Sequence, residues 1–452
     1  MFKSFRVSYW LVIGFVRKHA IIILLSLPLG FAAYFSYLKL QPLLPQPQPY
    51  LRIGRVGRFN LQSLPLDIQN KLSSGLTSIT PSGEATPSLA LNWEVSDDNK
   101  TYTFHLTNRF WHNGEPLKSP HLTYSIKDVD TSYPDDTTIE FHLKEPYAPF
   151  PIVVSQPVFR PSPKLRLRLF SPPLLGTGDY RLTKVTYQGQ YLTSIVLQSS
   201  PDKIRYTFYP TEEAAILGFK LGEVDTLVDI TDPQDLKHWP RLNITPVFHP
   251  DRFTAVFFNT QDPILADKNI RQALTYAIPN KPADQTRALS SFNSQSWAYN
   301  PQVKPYLTNP DTARQLLQKS QEETQSDTLP ILDLLTTLTY LPLAEAIKTS
   351  WENLGVTTRV HVITHPPQDF QALLIAHQIP PDPDQYTLWH SSQLTNLSRF
   401  QSPKLDKLLE DGRQTLDPDQ RKQIYQDFQR FLVEDSPAAF LFYQTTYTIS
   451  RD

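Results

Sequence analysis

An α/β body of two lobes, preceded by one N-terminal membrane-spanning helix, is the fold this sequence predicts. Three observations predict it. Residues 20–38 form an uncharged apolar run, short alternating strands dominate residues 50–249, and beyond Phe253 strands alternate with well-capped helices. At 452 residues the chain is too long for one small core, and a 40% share of hydrophobic residues supplies apolar surface for two or three. The division that follows is a cytoplasmic segment 1–19, an anchor 20–38, a linker 39–49, a sheet-rich first lobe 50–249 that takes back a closing strand within 438–452, and an α/β second lobe 250–437.

The anchor comes first. Ala20 to Leu38 contains no charge, and at about 1.5 Å per helical residue such a run covers roughly the 30 Å hydrocarbon core of a bilayer. Arg17, Lys18 and His19 precede it, with Lys3 and Arg6 further back, whereas Lys39 alone follows closely. That bias keeps the N-terminus cytoplasmic and places the remainder outside the cell membrane. The competing reading is a cleavable signal peptide using the small-x-small triplet Gly30, Phe31, Ala32, although the apolar run continues to Leu38. Residues 41–49, QPLLPQPQP, hold four prolines and no charge, as an extended spacer does.

In the first lobe, residues 87–126 read as a strand, a turn at Ser96 to Lys100, an alternating strand with Tyr102, Phe104 and Leu106 on one face, and a Gly114 turn into a helix beginning at Ser119 and Pro120. Ile139, Phe141 and Leu143, and later Ile204, Tyr206 and Phe208, repeat the two-residue period. The second lobe carries helix starts that pair a capping side chain with proline at the first helical position: Asn309–Pro310, Ser402–Pro403 and Asp417–Pro418. Leu343, Ile347, Trp351 and Leu354 form a further helical stripe, closed by Gly355 and followed by a strand over 356–363. Alternation of this kind predicts an α/β lobe.

Composition excludes several functions. With 43 basic against 44 acidic residues, no field gathers nucleic acid. Cysteine is absent, which removes disulfides, thiolate metal sites, Cys nucleophiles and a lipid-modified Cys anchor together. HExxH, G-x-S-x-G and P-loop patterns are missing, and the eleven histidines show no zinc-ligand spacing. Neither metal, cofactor nor catalysis is expected. An extracellular hydrolase working through two carboxylates is the alternative from another class.

The order of motifs adds a resemblance. The 87–126 stretch is followed by GTGDYRL (176–182), YPTEEAAILGFKLGEVD (209–225), FFNTQDPILADKNIRQALTYAI (257–278), DPDQYTLWHSSQ (382–393) and FQSPKLDKLLEDG (400–412). Together, in this order, they resemble the family 5 extracellular solute-binding proteins, the oligopeptide, dipeptide and nickel receptors of bacterial ABC importers. The resemblance implies a periplasmic-binding-protein-like fold of type II, cluster C, acting as a monomer that shuts a peptide or similar small solute between its lobes and delivers it to ABC permease subunits. A sensor or orphan binder of the same fold, uncoupled from import, is the other reading.

Six residues are candidates for the ligand cleft. Ser74 sits where the first lobe of the family approaches ligand, with a surface turn as the alternative. Asn259 offers an amide after its strand or caps the next loop. Trp389 and His390 supply an aromatic wall and a polar handle, or form a buried hydrogen-bonded pair. Peptide-binding relatives hold the ligand's ammonium with an acidic side chain before the DPD-like loop, where this chain has Ile379; Asp382 or Asp384 is the candidate replacement. Arg271, on an amphipathic helix, is read as a structural tie.

Overall fold

The computed structural model describes residues 50–161, 174–279, 281–282, 286–325 and 331–451, with scattered positions between 13 and 35. Residues 1–50 and 201–203 form one compact unit, and 51–200 with 204–452 the other. Among the described residues no helix is long and apolar enough to cross a membrane, and most of the 20–38 run lies outside them.

In chain order the strands are β1 (Leu51–Val56), β2 (Thr77–Ile79), β3 (Ala85–Pro87), β4 (Ala90–Val95), β5 (Thr101–Leu106), β6 (Val129–Asp135), β7 (Thr138–Leu143), β8 (Arg160–Pro161), β9 (Leu174–Leu175), β10 (Arg181–Gln188), β11 (Tyr191–Gln198), β12 (Lys203–Tyr209), β13 (Thr226–Ile230), β14 (Leu242–Phe258), β15 (Ile331–Thr336), β16 (Thr357–Val362), β17 (Ala372–Gln378) and β18 (Ala438–Arg451). The helices are α1 (Leu66–Leu72), α2 (Phe150–Val153), α3 (Glu212–Lys220), α4 (Lys268–Ala277), α5 (Pro310–Thr324), α6 (Leu341–Glu352), α7 (Tyr386–Trp389), α8 (Pro403–Gln414) and α9 (Pro418–Asp435). Ten strands form one mixed sheet in the order β10-β11-β12-β1-β13-β18-β14-β17-β15-β16.

Two strands make this sheet serve both lobes. β14 and β18 run antiparallel side by side for most of their length. Leu242–His249 pair with Gln444–Arg451 beside β13, and Phe253–Phe257 pair with Ala438–Tyr443 beside β17. The register breaks between His249 and Phe253, where Pro250 has no amide hydrogen to contribute to a ladder. Of the closing strand expected to return to the first lobe from within 438–452, Gln444–Arg451 does so, whereas Ala438–Tyr443 pairs within the second lobe.

In the second lobe the central strands are buried on both faces and so read as continuous apolar runs. Along β14, Phe253, Ala255 and Phe257 enter one core with Phe440, Trp389, Tyr425 and Phe428, while Val256 and Phe258 enter the other with Leu274, Ile347 and Trp351. The three expected helix starts are present: Asn309, Ser402 and Asp417 accept from the amides of Thr312, Leu405 and Gln420. α6 carries the Ile347 and Trp351 stripe, and Gly355 follows it at φ +91°.

The first lobe holds the other half of the large sheet and a separate four-stranded sheet, β4-β5-β7-β6, cored by Tyr102, Phe104, Phe141 and Phe150. One local expectation fails here. Ser119–His121 is a single 3₁₀ turn and no α-helix follows it. The Tyr124 hydroxyl accepts from Leu76 N (3.2 Å) and donates to Val154 O (3.2 Å), which pins the segment in an extended path, and Asp128 at φ +61° ends it.

Candidate functional site

A cleft of about 590 Å³ opens between the lobes at the strand crossing. Its first-lobe wall is the stretch after α1, from Ser73 through Gly75, and strand β2. Its second-lobe wall is Pro250 and Asp251 from the break in β14, Asn293 and Gln295 from a loop, and Gln378 to Pro381 at the end of β17. Ser, Thr, Asn and Gln supply nearly all the polarity, and Asp251 is the one charged lining side chain among the described residues. Asp251 Oδ2 accepts from Gln378 Nε2 (2.8 Å), and its carbonyl accepts from Ile379 N (2.7 Å). Hydroxyl and amide groups with little charge can replace the water of a polar solute, while Ile79, Ile379 and the prolines bury its apolar parts.

The break in β14 is framed by charges outside the cleft. Arg252 donates to Asp229 (3.0 Å), Arg55 approaches the same carboxylate (3.7 Å), and His249 Nε2 pairs with the Thr446 hydroxyl (2.7 Å). Burial alone would raise the Asp229 carboxyl, but attraction and a hydrogen bond from Arg252, with help from Arg55, bring it below its ordinary value. Burial, then Arg252, pushes His249 down, so it is neutral at neutral pH.

Beyond the cleft the lobes touch along a clasp. Trp297 N donates to Ser82 O (3.1 Å), and Ala148 N donates to Arg413 O (2.7 Å). The guanidinium of Arg413 lies 5.2 Å from the Tyr147 ring centre and donates to Asp384 Oδ2 (2.8 Å), to which the Tyr147 hydroxyl also reaches (3.4 Å). Gly83 is the tightest approach, because a Cβ there would lie 2.4 Å from Pro381 O. It also lines a second hollow of about 380 Å³ with Trp93, Trp297 and Arg421.

The six candidates part company. Ser74 lines the cleft. Asp382 and Asp384 do not line it: Asp382 meets Arg421 through contacts of 2.5 and 3.1 Å and borders the second hollow, and Asp384 belongs to the clasp. Burial disfavours both charges: it raises the Asp382 carboxyl despite the attraction of Arg421, whereas attraction to Asp382 outweighs burial at the guanidinium and raises it, so each partner depends on the other for its charge. Each carboxylate also accepts from a backbone amide, Asp384 N on Asp382 and Tyr386 N on Asp384. With their lone pairs engaged, neither is placed to meet an ammonium in the cleft.

Asn259 caps its loop. It donates to Phe370 O (2.9 Å) and accepts from Gln261 N (3.1 Å). Trp389 is buried with its indole N–H on Ser291 (3.1 Å) and Gln385 (3.2 Å), and His390 stacks on Tyr386 with Nδ1 on Ser392 (2.8 Å). Arg271 ties α4 to the carbonyls of Leu265, Ala266, Asp435 and Ser436, as its helix position implied. Sequence reasoning missed Asp251, Asn293, Gln295 and Gln378. Pro250, a proline inside a strand run, was the available signal for the first of these.

A polar cleft between two lobes that share one sheet through two crossing strands defines a two-lobed solute-binding protein. The family described as bacterial extracellular solute-binding proteins, family 5 Middle, matches residues 84–397, and the chain belongs to that family. It is 23% identical over 454 aligned residues to the dipeptide-binding protein of Escherichia coli (strain K12), covering 80% of this chain and 82% of that one. Among solved structures it resembles the oligopeptide-binding protein AppA from Bacillus subtilis in complex with a nonapeptide, with a TM-score of 0.67, 21% identity and coverage of 90% and 95%. NikZ from Campylobacter jejuni, in complex with Ni(L-His), gives a TM-score of 0.70 at 20% identity, with coverage of 90% and 94%.

Proposed function

We propose that this chain is the extracytoplasmic substrate-binding component of an ABC importer, taking a peptide or peptide-like solute into the cleft at the strand crossing. The observation that carries the reading is the 590 Å³ polar cleft bounded on both sides by lobes hinged through β14 and β18. A solute touching both walls favours the state in which Ser82–Trp297 and Tyr147–Asp384 meet, and so shifts a hinge equilibrium toward the form a permease recognises. The names of relatives support the solute class: dipeptide-binding and putative ABC transporter peptide-binding proteins recur among them. In this reading the fold is of type II, cluster C, the protein is a monomer that performs no chemistry, and residues 20–38 tether it to the membrane by an uncleaved helix. Calorimetric titration with a random tripeptide mixture, together with co-purification of permease subunits, tests it. Saturable binding without hydrolysis is expected; release of amino acids, or no binding at all, overturns it.

A further inference from the structure

We propose that the pole of the first lobe where β1 begins is a lipid-contact surface, which seats the body on the outer face of the membrane that residues 20–38 span. This rests on the reading of those residues as a tether and specifies which face of the body meets the bilayer. β1, β12 and β13 run parallel, and β13 and β14 are both antiparallel to β18, so all four strands start at one end of the sheet and lead away from it toward the cleft. At that end apolar side chains stand in solvent. Leu217 and Leu221, four residues apart at the end of α3, are 56% and 69% exposed, Leu51 is 50% exposed and Trp239 38%. They form one patch: Arg52, beside Leu51, donates to the carbonyl of Gly222, beside Leu221 (2.8 Å), and the Trp239 ring centre lies 5.8 Å from Nζ of Lys220 on the same helical turn.

Charges around the patch are paired within the lobe: Lys220 with Asp235 (2.8 Å), Lys237 with Asp232 (2.7 Å) and Arg52 with Asp225 (2.5 Å). A tryptophan beside leucines and neutralised charges suits the boundary between headgroups and acyl chains. Chain length selects lipid as the occupant. The 13 steps from Leu38 to Leu51 reach about 40 Å at the 3.1 Å per residue of a proline-rich chain. β14 runs from the same pole into the second lobe over 17 residues, about 50 Å. A body standing on the far end of β14 would carry Leu51 beyond the reach of the linker, whereas one seated on the pole leaves the linker slack. The cleft at Pro250, about 26 Å along β14 from Leu242, then stays clear of lipid.

The test uses the full chain reconstituted in phosphatidylcholine vesicles. Because the chain has no cysteine, Leu221→Cys, Trp239→Cys and Leu394→Cys each take a single fluorescent label. Leu394 is fully exposed on the second lobe, four residues before Ser398, whose carbonyl accepts from Thr260 N (2.9 Å) beyond the far end of β14. Labels at 221 and 239 are expected to be roughly threefold or more less accessible to aqueous iodide than the label at 394, and to be quenched by brominated lipid. Leu217→Ser is expected to lower the lipid quenching at 239. Labels at 221 and 239 as open to iodide as that at 394, in a chain that resists alkaline carbonate extraction, overturn the lipid contact and leave the tether reading standing. Protection from iodide without quenching by brominated lipid, lost in nanodiscs holding one chain each, means that a second copy covers the patch and overturns it equally. Release of the chain by carbonate overturns the tether and the lipid contact with it.

Discussion

Replacing Gly83 by alanine is expected to weaken solute binding by separating the lobes, and the turn allows the effect to be worked out. Gly83 joins β2 to β3 at φ +88°, and a Cβ there would stand 2.4 Å from Pro381 O across the lobe boundary. The left-handed backbone costs an alanine about 1–2 kcal/mol, but it does so whether the lobes are together or apart. The steric conflict exists only when they are together. Restoring ordinary contact of at least 3.4 Å means moving the two backbones apart by about 1 Å. The Ser82–Trp297 hydrogen bond, 3.1 Å long, does not survive that shift, with a loss of about 1 kcal/mol, and the apolar contacts beside it loosen as well. A closed-state penalty of about 2–3 kcal/mol corresponds to a dissociation constant raised roughly 30- to 150-fold. Gly114→Ala is the control, since that glycine also has positive φ, at +83°, but open space where its Cβ would be. Calorimetry with a peptide that binds the unsubstituted chain, and small-angle scattering with and without it, read the two variants. Gly83→Ala binding within threefold of the unsubstituted chain, or Gly114→Ala losing as much, refutes the assignment of this edge as a closing contact.

Asp382→Asn leaves the buried Arg421 guanidinium without its counter-charge and is expected to lower stability by about 3–5 kcal/mol in denaturant unfolding, with partial recovery in Asp382→Asn/Arg421→Met. Asp229→Asn keeps the left-handed backbone, which asparagine tolerates, and removes the pairing with Arg252 and Arg55, at a cost of about 1–3 kcal/mol. Because the folded carboxyl of Asp229 lies below its unfolded value, that difference is full above about pH 4 and vanishes as pH falls through the folded pKa, which paired urea melts at pH 6 and pH 3 would show. Lys281, whose amino group donates to the carbonyls of Thr275 and Tyr306, is pushed by burial, then by Arg287, from 10.5 down to about 6. Between those values the unfolded chain binds more protons, so stability rises with pH, by about 2–3 kcal/mol from pH 7 to pH 9, and Lys281→Met is expected to lose that rise.

What was legible in the sequence was local. The helix starts at Asn309, Ser402 and Asp417 need only a capping side chain and the amide three residues on, so short windows reveal them. The alternation of strands with capped helices beyond Phe253 likewise revealed an α/β lobe. The cleft was not legible, because it is made by pairing β14 with a strand nearly 200 residues later and by a loop around Asn293 that has no periodic pattern. The roles of Asp382 and Asp384 turn on Arg421 and Arg413, which α9 and α8 deliver from 39 and 29 residues away. Asn259, Trp389 and His390 have residue types that suit a ligand equally well, and only the identity of their partners places them inside the second lobe.

The position of β18 has a consequence for biogenesis. The middle of the ten-stranded sheet is filled by the segment that leaves the ribosome after every other described strand. Until it arrives, β13 and β14 each present a naked edge where their neighbour belongs, an arrangement that invites aggregation. A nascent chain halted at about residue 437 therefore lacks the central brace of both halves at once, and holding it unfolded until synthesis finishes would protect it.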